Sequence, residues 1–335
     1  MRRYDCPNCA NEVHFENAVC VKCNSNLGYL SSVDQFKSAV AESSAEIECA
    51  NRNLISCNWL VEPNDASQYC TSCRHTLIIP DLSMPQNIDR WARLESAKRM
   101  LFYALHKFRL PLPEQSDAPE KWLRFEFKAD VLSIDGQQTS VMTGHESGVV
   151  TINIVEADDE VRERHRVAMG EPYRTLIGHF RHEVGHYYWD RLVADAGHTE
   201  AFRSMFGDER ITYAEALQRH YQTGAPLGWE MLYVSSYASS HPWEDFAETW
   251  AHYFHMIDGL ETAQNYAIGE LTPSAGVYRG PYESNNFNEL INAWVPLTIA
   301  MNAMNRSIGN SDFYPFVLSE AISAKLQFVH NLIHH

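Results

Sequence analysis

The chain has 335 residues, 45 % of them hydrophobic, and a formal net charge of −16. That is enough apolar material for one sizeable core with a small appended module. The acidity argues against nucleic acid as a partner, because phosphate binding needs a concentrated basic surface. Met1-Arg2-Arg3 leads straight into a cysteine knuckle, with no secretory segment. No stretch reaches the length of about twenty apolar residues that a membrane crossing needs. The run Leu290–Met304 is broken by Asn292, Pro296 and Asn302. These features point to a cytoplasmic protein with no membrane partner.

All eight cysteines lie in the first 73 residues. Cys6, Cys9, Cys20 and Cys23 form two Cys-x-x-Cys knuckles, the pattern of a zinc ribbon over residues 1–30. Residues 31–48, rich in Ser and Ala, read as a linker or a helix. Cys49, Cys57, Cys70 and Cys73 span residues 49–82 and contain one tight knuckle. A disulfide framework is the rival, but a long chain without a secretory segment favours reduced thiols. Four thiolates close a metal's coordination sphere, so such sites hold structure rather than perform chemistry. Only Arg2, Arg3 and Lys22 stand out as basic in the first lobe, so a protein partner suits the ribbons better than nucleic acid.

Residues 83–335 form the main domain. Ile88–Phe108 is an amphipathic helix with Trp91, Leu94, Ala97, Leu101 and Leu105 on one face. Residues 123–157 carry strands, the clearest being the β-branched run from Val149 to Ala157, preceded by a turn between Gly144 and Gly148. A helix follows over Tyr173–Ala196, with Pro172 in its first turn, Gly197 at its end, and Leu176, Phe180, Tyr187 and Val193 on its buried side.

Within that helix stands His182-Glu183-Val184-Gly185-His186. Two imidazoles one turn apart on one face can grip one Zn²⁺, and Glu183 beside them can take a proton from the attacking water. Trp189 and Leu192 stand where the long metzincin motif needs Gly and His. A third ligand is required. Asp208 and Glu209 lie near the position used by thermolysin-like sites. After a connecting helical region near 210–222, the stretch from His241 to His255 offers a better one. There Glu244, Glu248, His252 and His255 share one helical stripe, with Phe246, Trp250 and Phe254 on another. Two closing helices occupy residues 284–335, separated by Gly309 and Pro315. The expected fold class is α+β.

The pairing of His-Glu-x-x-His with Glu244-Asp245-Phe246-Ala247-Glu248 resembles the zincin metallopeptidases whose third ligand is the first Glu of a Glu-x-x-Ala-Glu helix, as in the lethal-factor group. Over nearly its full length the chain resembles bacterial zinc-binding metallopeptidases with an N-terminal zinc-ribbon region. The matching stretches are Thr143–Asp158, Glu171–Asp190, Phe202–Glu209 and Tyr237–His255. This resemblance implies a zincin-like domain after two zinc-ribbon-like lobes, with a second four-thiolate zinc at Cys49, Cys57, Cys70 and Cys73. It implies Glu244 as third ligand and Glu248 as a carboxylate that orients a ligand imidazole. In the lethal-factor arrangement a Tyr at the position of Tyr237 faces the metal and donates to the oxyanion. His241 is a weaker second donor, and Asp190 is placed to hydrogen-bond a ligand histidine. Zincins also set an edge strand beside the metal helix to pair with an extended peptide, a role that residues 149–157 would fill. The resulting expectation is a zinc-dependent peptidase, a hydrolase acting on a polypeptide, with about three zinc ions, one catalytic and two structural. The alternative is a zinc-stabilised adaptor whose peptidase-like site is idle or restrained.

Overall fold

The computed structural model describes residues 2–38, 47–63, 65–116, 118–132, 138–169, 171, 174–268 and 280–334. Pro172 and Tyr173, read above as the start of the metal helix, lie outside the described residues. The chain forms two compact units, Met1–His165 with Thr175–Phe180, and Arg166–Arg174 with Arg181–His335.

In the first unit, strand β1 (Tyr4–Asp5) pairs with β2 (Glu12–Val13), and β3 (Leu27–Leu30) pairs antiparallel with β4 (Gln35–Ser38). The second hairpin turns within the stretch read as a linker, of which residues 39–46 lie outside the described residues. β5 (Ile47–Glu48) pairs with β6 (Leu60–Val61), and the one-turn helix α1 (Arg52–Ile55) lies between them. Helix α2 (Pro85–Lys107) starts at a proline, as first turns allow, and buries the expected face of Trp91, Leu94, Ala97, Leu101 and Leu105. Phe15 joins the cysteine-rich segment to this helix, its ring centroid 5.1 Å from Tyr103 and 5.0 Å from Tyr29 in edge-to-face contacts.

The main sheet is built from β7 (Thr76–Ile78), β8 (Arg124–Lys128), β11 (Gly144–Glu146) and β12 (Val149–Asn153) in the order β11-β12-β8-β7, while β9 (Val131–Leu132) and β10 (Gln138–Thr139) form a ladder of their own. β12 runs parallel to β8, and β8 parallel to β7. This corrects one expectation. β12 lies between β11 and β8, so both its backbone edges are paired and it cannot serve as the edge strand; on its side the edge is β11. The strand is also shorter than the β-branched run, because Asn153 accepts a hydrogen bond from the Val155 amide and turns residues 154–157 into a 3-10 helix. Ser147 (φ 49°) and Gly148 (φ 80°) both take the left-handed conformation of a tight two-residue hairpin. A Cβ on Gly148 would lie 2.8 Å from the Trp122 carbonyl oxygen.

Helix α3 (Asp159–Met169) follows, and α4 (Leu176–Trp189) then carries the chain into the second unit. A π-helical turn over Asp190–Ala194 prolongs α4, and Gly197 (φ 79°) ends it. The other helices are α5 (Thr199–Phe206), α6 (Tyr213–Thr223), α7 (Pro242–Asn265), α8 (Phe287–Ser307) and α9 (Glu320–His334). α7 is the central element of this unit, burying Phe246, Trp250, Phe254 and Ile257. Trp250 stacks on Tyr188 at 5.0 Å. At Gly259 an added Cβ would lie 2.6 Å from the Trp294 ring, so a glycine admits α8 there. Lys325 of α9 pairs with buried Asp245 at 2.6 Å and donates to the Leu232 carbonyl at 2.7 Å. No described helix is long and apolar enough to cross a membrane.

Candidate metal centre

The site begins with helix spacing. His182 and His186 stand one turn apart on α4, their ring centroids 5.0 Å apart and nearly perpendicular. What brings a third donor to them is a small-residue contact. A Cβ on Gly185 would lie 3.0 Å from Ala247 Cα and 3.3 Å from the Ala247 carbonyl oxygen. The glycine of the His-Glu-Val-Gly-His stretch and the alanine of Glu-Asp-Phe-Ala-Glu therefore let α4 and α7 touch backbone to backbone. Glu244 and Glu248, one turn before and one residue after Ala247, then face the histidines.

His182 Nε2 lies 2.9 Å from Glu244 Oε2, and His186 Nε2 lies 3.6 Å from Glu244 Oε1. One ligand atom from each of the three residues falls within 4.8 Å of the others. A tetrahedral zinc with bonds of about 2.0–2.2 Å has ligand–ligand edges of about 3.3–3.6 Å; the His186 distance matches that edge and the His182 distance is shorter than it. Glu244 is buried, and its Oε2 has no hydrogen-bond partner among the described residues. A buried carboxylate oxygen without a donor is costly, and a divalent cation between it and the imidazoles satisfies it.

Behind His182, Glu248 Oε1 lies 2.6 Å from Nδ1, and Ser235 donates to Glu248 Oε2 at 2.6 Å. Nδ1–H therefore points at the carboxylate, leaving Nε2 as the free donor. Burial works against charge on each member, but the cluster overrides it. Glu244 is held well below the usual carboxylate range by His186 and His182. Glu248 is held at about 2 by His182 and His252. His182 is pushed well above the ordinary imidazole value by the two carboxylates.

Two phenols close the site. Tyr213 donates to Glu244 Oε1 at 2.6 Å. Tyr237 opens a 3-10 turn and sets its ring 6.0 Å from that of His182. Burial pushes both phenols up, and the charges of Glu244 and Glu183 add to it. Other residues are engaged elsewhere. His241 caps α7 by accepting the Trp243 amide on Nδ1 at 3.1 Å, and its Nε2 lies 3.3 Å from the Ile211 carbonyl. With both nitrogens in use it is not a free oxyanion donor. Asp208 pairs with Arg210 and Glu209 with Arg203, away from the histidines. His252 Nδ1 lies 2.9 Å from the Tyr314 hydroxyl, and His255 meets Arg181. Asp190 opens the π-helical turn, its carboxyl raised by burial and by Asp195 against the opposing charges of Arg191 and His186.

The two cysteine groups are built differently. In the first, Ala10 (φ 54°) and Asn24 (φ 56°) close matching knuckles, their amides bonding to the Cys6 and Cys20 carbonyls at 2.9 Å. Cys6–Cys23 and Cys9–Cys20 sulfurs lie 3.7 and 3.8 Å apart. In the second, Cys57 lies 3.8 Å from both Cys70 and Cys73. A zinc tetrahedron with bonds of about 2.3 Å has sulfur–sulfur edges of about 3.8 Å, whereas a disulfide needs about 2.05 Å. All eight thiols are free, which excludes the disulfide framework. The second group is wholly buried, whereas Cys9 and Cys23 of the first are half-exposed. Buried Arg99 accompanies the second group: burial opposes its charge, but Cys57, Cys73, Glu95 and Cys70 outweigh that.

A family model described as "Putative zinc-binding metallo-peptidase" matches residues 87–332. The chain belongs to this family. A zinc-ribbon domain model matches residues 3–84. Among curated proteins, uncharacterized proteins of Mycobacterium bovis and of two strains of Mycobacterium tuberculosis are each 41 % identical over 336 residues, covering 99 % of this chain and 95 % of theirs. No solved structure matches.

Two of the residues at this site carry no sequence signal. Tyr213 opens a helix 31 positions before Glu244, and Ser235 sits in a loop 13 before Glu248. Neither belongs to a motif, and only the folded chain places them there.

Proposed function

We propose that this chain is a zinc-dependent peptidase of the zincin type, with His182, His186 and Glu244 as metal ligands and the two cysteine groups holding two further, structural zinc ions. The observation that carries the reading is the buried Oε2 of Glu244, without a hydrogen-bond partner among the described residues and 2.9 Å from His182 Nε2. Zinc bound there would supply Lewis acidity and lower the pKa of a coordinated water. Glu183 takes the proton of the attacking water and returns it to the leaving amine. Tyr237 donates to the oxyanion that develops at the scissile carbonyl. Glu248 holds His182 in the tautomer that leaves Nε2 free. The substrate is a polypeptide. The eight free thiols suit a reducing compartment, supporting a cytoplasmic location.

The test is zinc content and peptide cleavage in wild type, Glu183→Gln and Glu244→Ala. About three zinc ions per chain, falling to about two only in Glu244→Ala, with cleavage lost in both variants, supports the assignment. Equal cleavage by wild type and Glu183→Gln refutes the mechanism. A wild type that binds two zinc ions and cleaves nothing makes the chain an adaptor.

A further inference from the structure

Tyr213, the first residue of α6, is anchored at this site from two sides. Ile211 is tied to the start of α7 through His241, whose Nε2 lies 3.3 Å from the Ile211 carbonyl while its Nδ1 caps the helix. Two residues later the Tyr213 ring packs edge-on to His241 at 5.1 Å and tilted against Trp243 at 6.1 Å. The phenol is thereby clamped against the first turn of α7, and its hydroxyl donates to Glu244 Oε1 at 2.6 Å. The other carboxylate oxygen, Oε2, is buried and has no hydrogen-bond partner among the described residues.

We propose that Tyr213 is a positioning residue for the metal-site carboxylate: by occupying Oε1 it fixes the rotation of Glu244 and leaves Oε2 as the single donor to the metal. This rests on the peptidase reading. A carboxylate free to turn could chelate through both oxygens or swing away, and either would disturb the open position that hydrolysis needs. Tyr213 acts through Glu244 and is not itself assigned contact with the reacting atoms.

The experiment uses the full chain, stripped at the third site by a chelator and titrated with zinc, comparing wild type, Tyr213→Phe and Tyr237→Phe. Tyr213→Phe should weaken the third zinc about 10- to 100-fold, leave the two cysteine-bound ions in place, and lower kcat with little change in KM. Tyr237→Phe should lower kcat with third-site affinity kept within about twofold. His241→Asn keeps a capping side chain but loses the anchor on Ile211. It should weaken the same zinc by a smaller factor, and it carries the test if Tyr213→Phe fails to fold. Unchanged third-site affinity in Tyr213→Phe overturns the proposal, and a fall in kcat at unchanged affinity makes Tyr213 a direct contact of the substrate instead. A wild type holding only two zinc ions refutes the peptidase reading itself, so the two failures are distinguishable.

Discussion

Gly185→Ala is the sharpest perturbation of this site, because it adds one methyl group where two helices touch. The new Cβ would stand 3.0 Å from Ala247 Cα, 3.3 Å from the Ala247 carbonyl oxygen and 3.3 Å from Trp250 Cβ. Comfortable carbon contacts are about 3.5–4.0 Å, so α4 and α7 must separate by roughly half an ångström. None of the three opposing atoms is the free end of a flexible side chain. Overpacking of this kind costs about 1–3 kcal/mol, and replacing a mid-helix glycine returns up to about 1 kcal/mol. With the full return the expected net loss is about 0–2 kcal/mol. The effect on the metal should be larger than the effect on the fold, since ligand distances tolerate only about 0.2 Å. Thermal unfolding with and without zinc, together with zinc counting, reads both: a modest fall in Tm, and a third zinc lost while the cysteine-bound ions stay. Ala247→Gly should not rescue the variant, because the clash is with backbone atoms that glycine retains. A Gly185→Ala protein as stable and as zinc-replete as wild type would refute the close-contact argument.

Three further outcomes are expected. Lys325→Met leaves Asp245, already pushed up to about 7 by burial, without its partner and should cost about 3–5 kcal/mol in denaturant unfolding; adding Asp245→Asn should recover most of it, and a loss under about 1 kcal/mol would contradict the pairing. Asp34 accepts from Tyr4 at 2.8 Å and Tyr29 at 3.0 Å and meets Lys107 at 3.1 Å; although burial opposes its charge, Lys107, Tyr4 and Arg2 hold its carboxyl below the ordinary value. Its contribution is therefore present above the unfolded value of about 3.9 and lost as pH falls through the folded one. Asp34→Asn, tolerated at φ 52°, should cost about 1–3 kcal/mol at pH 7, with the gap to wild type closing under acid; a gap that does not change with pH would refute the charge argument. Arg99→Met should speed chelator release of zinc from the second cysteine centre about tenfold and leave the first centre unchanged; equal acceleration at both would show a general loss of stability instead.

The elements that face a single periodic rule could be read along the chain. The buried stripe of α2 follows from Trp91, Leu94, Ala97, Leu101 and Leu105 at helical spacing, and the shared faces of His182 with His186 and of Glu244 with Glu248 follow from steps of four. What escaped depends on contacts between distant segments. Val149–Asn153 has the composition of a strand, but composition does not say how many neighbours it has, and the hairpin partner at Gly144–Glu146 turns it into an interior strand. His241 has the chemistry of a donor, yet a residue preceding Pro242 at a helix start is also placed to cap, and capping uses the nitrogen. The stretch after Leu30 has a linker's composition, but the Asp34 turn folds it back as β4. Tyr213 and Ser235 were invisible for the same reason: their partners lie in another helix.

The way the second cysteine lobe ends has a consequence for how the protein is made. Cys73 is followed within three residues by β7, which is the outer strand of the main sheet and runs parallel to β8. The lobe and the sheet therefore cannot be parted at the prolines near residue 80. A fragment beginning at residue 83 would expose the backbone of β8 as an unpaired edge, a template for aggregation. A newly synthesised chain in a zinc-starved cell faces the same hazard, because the lobe that delivers β7 needs its metal to fold. Zinc supply would thus govern the folding of the first unit before it bears on the candidate metal site.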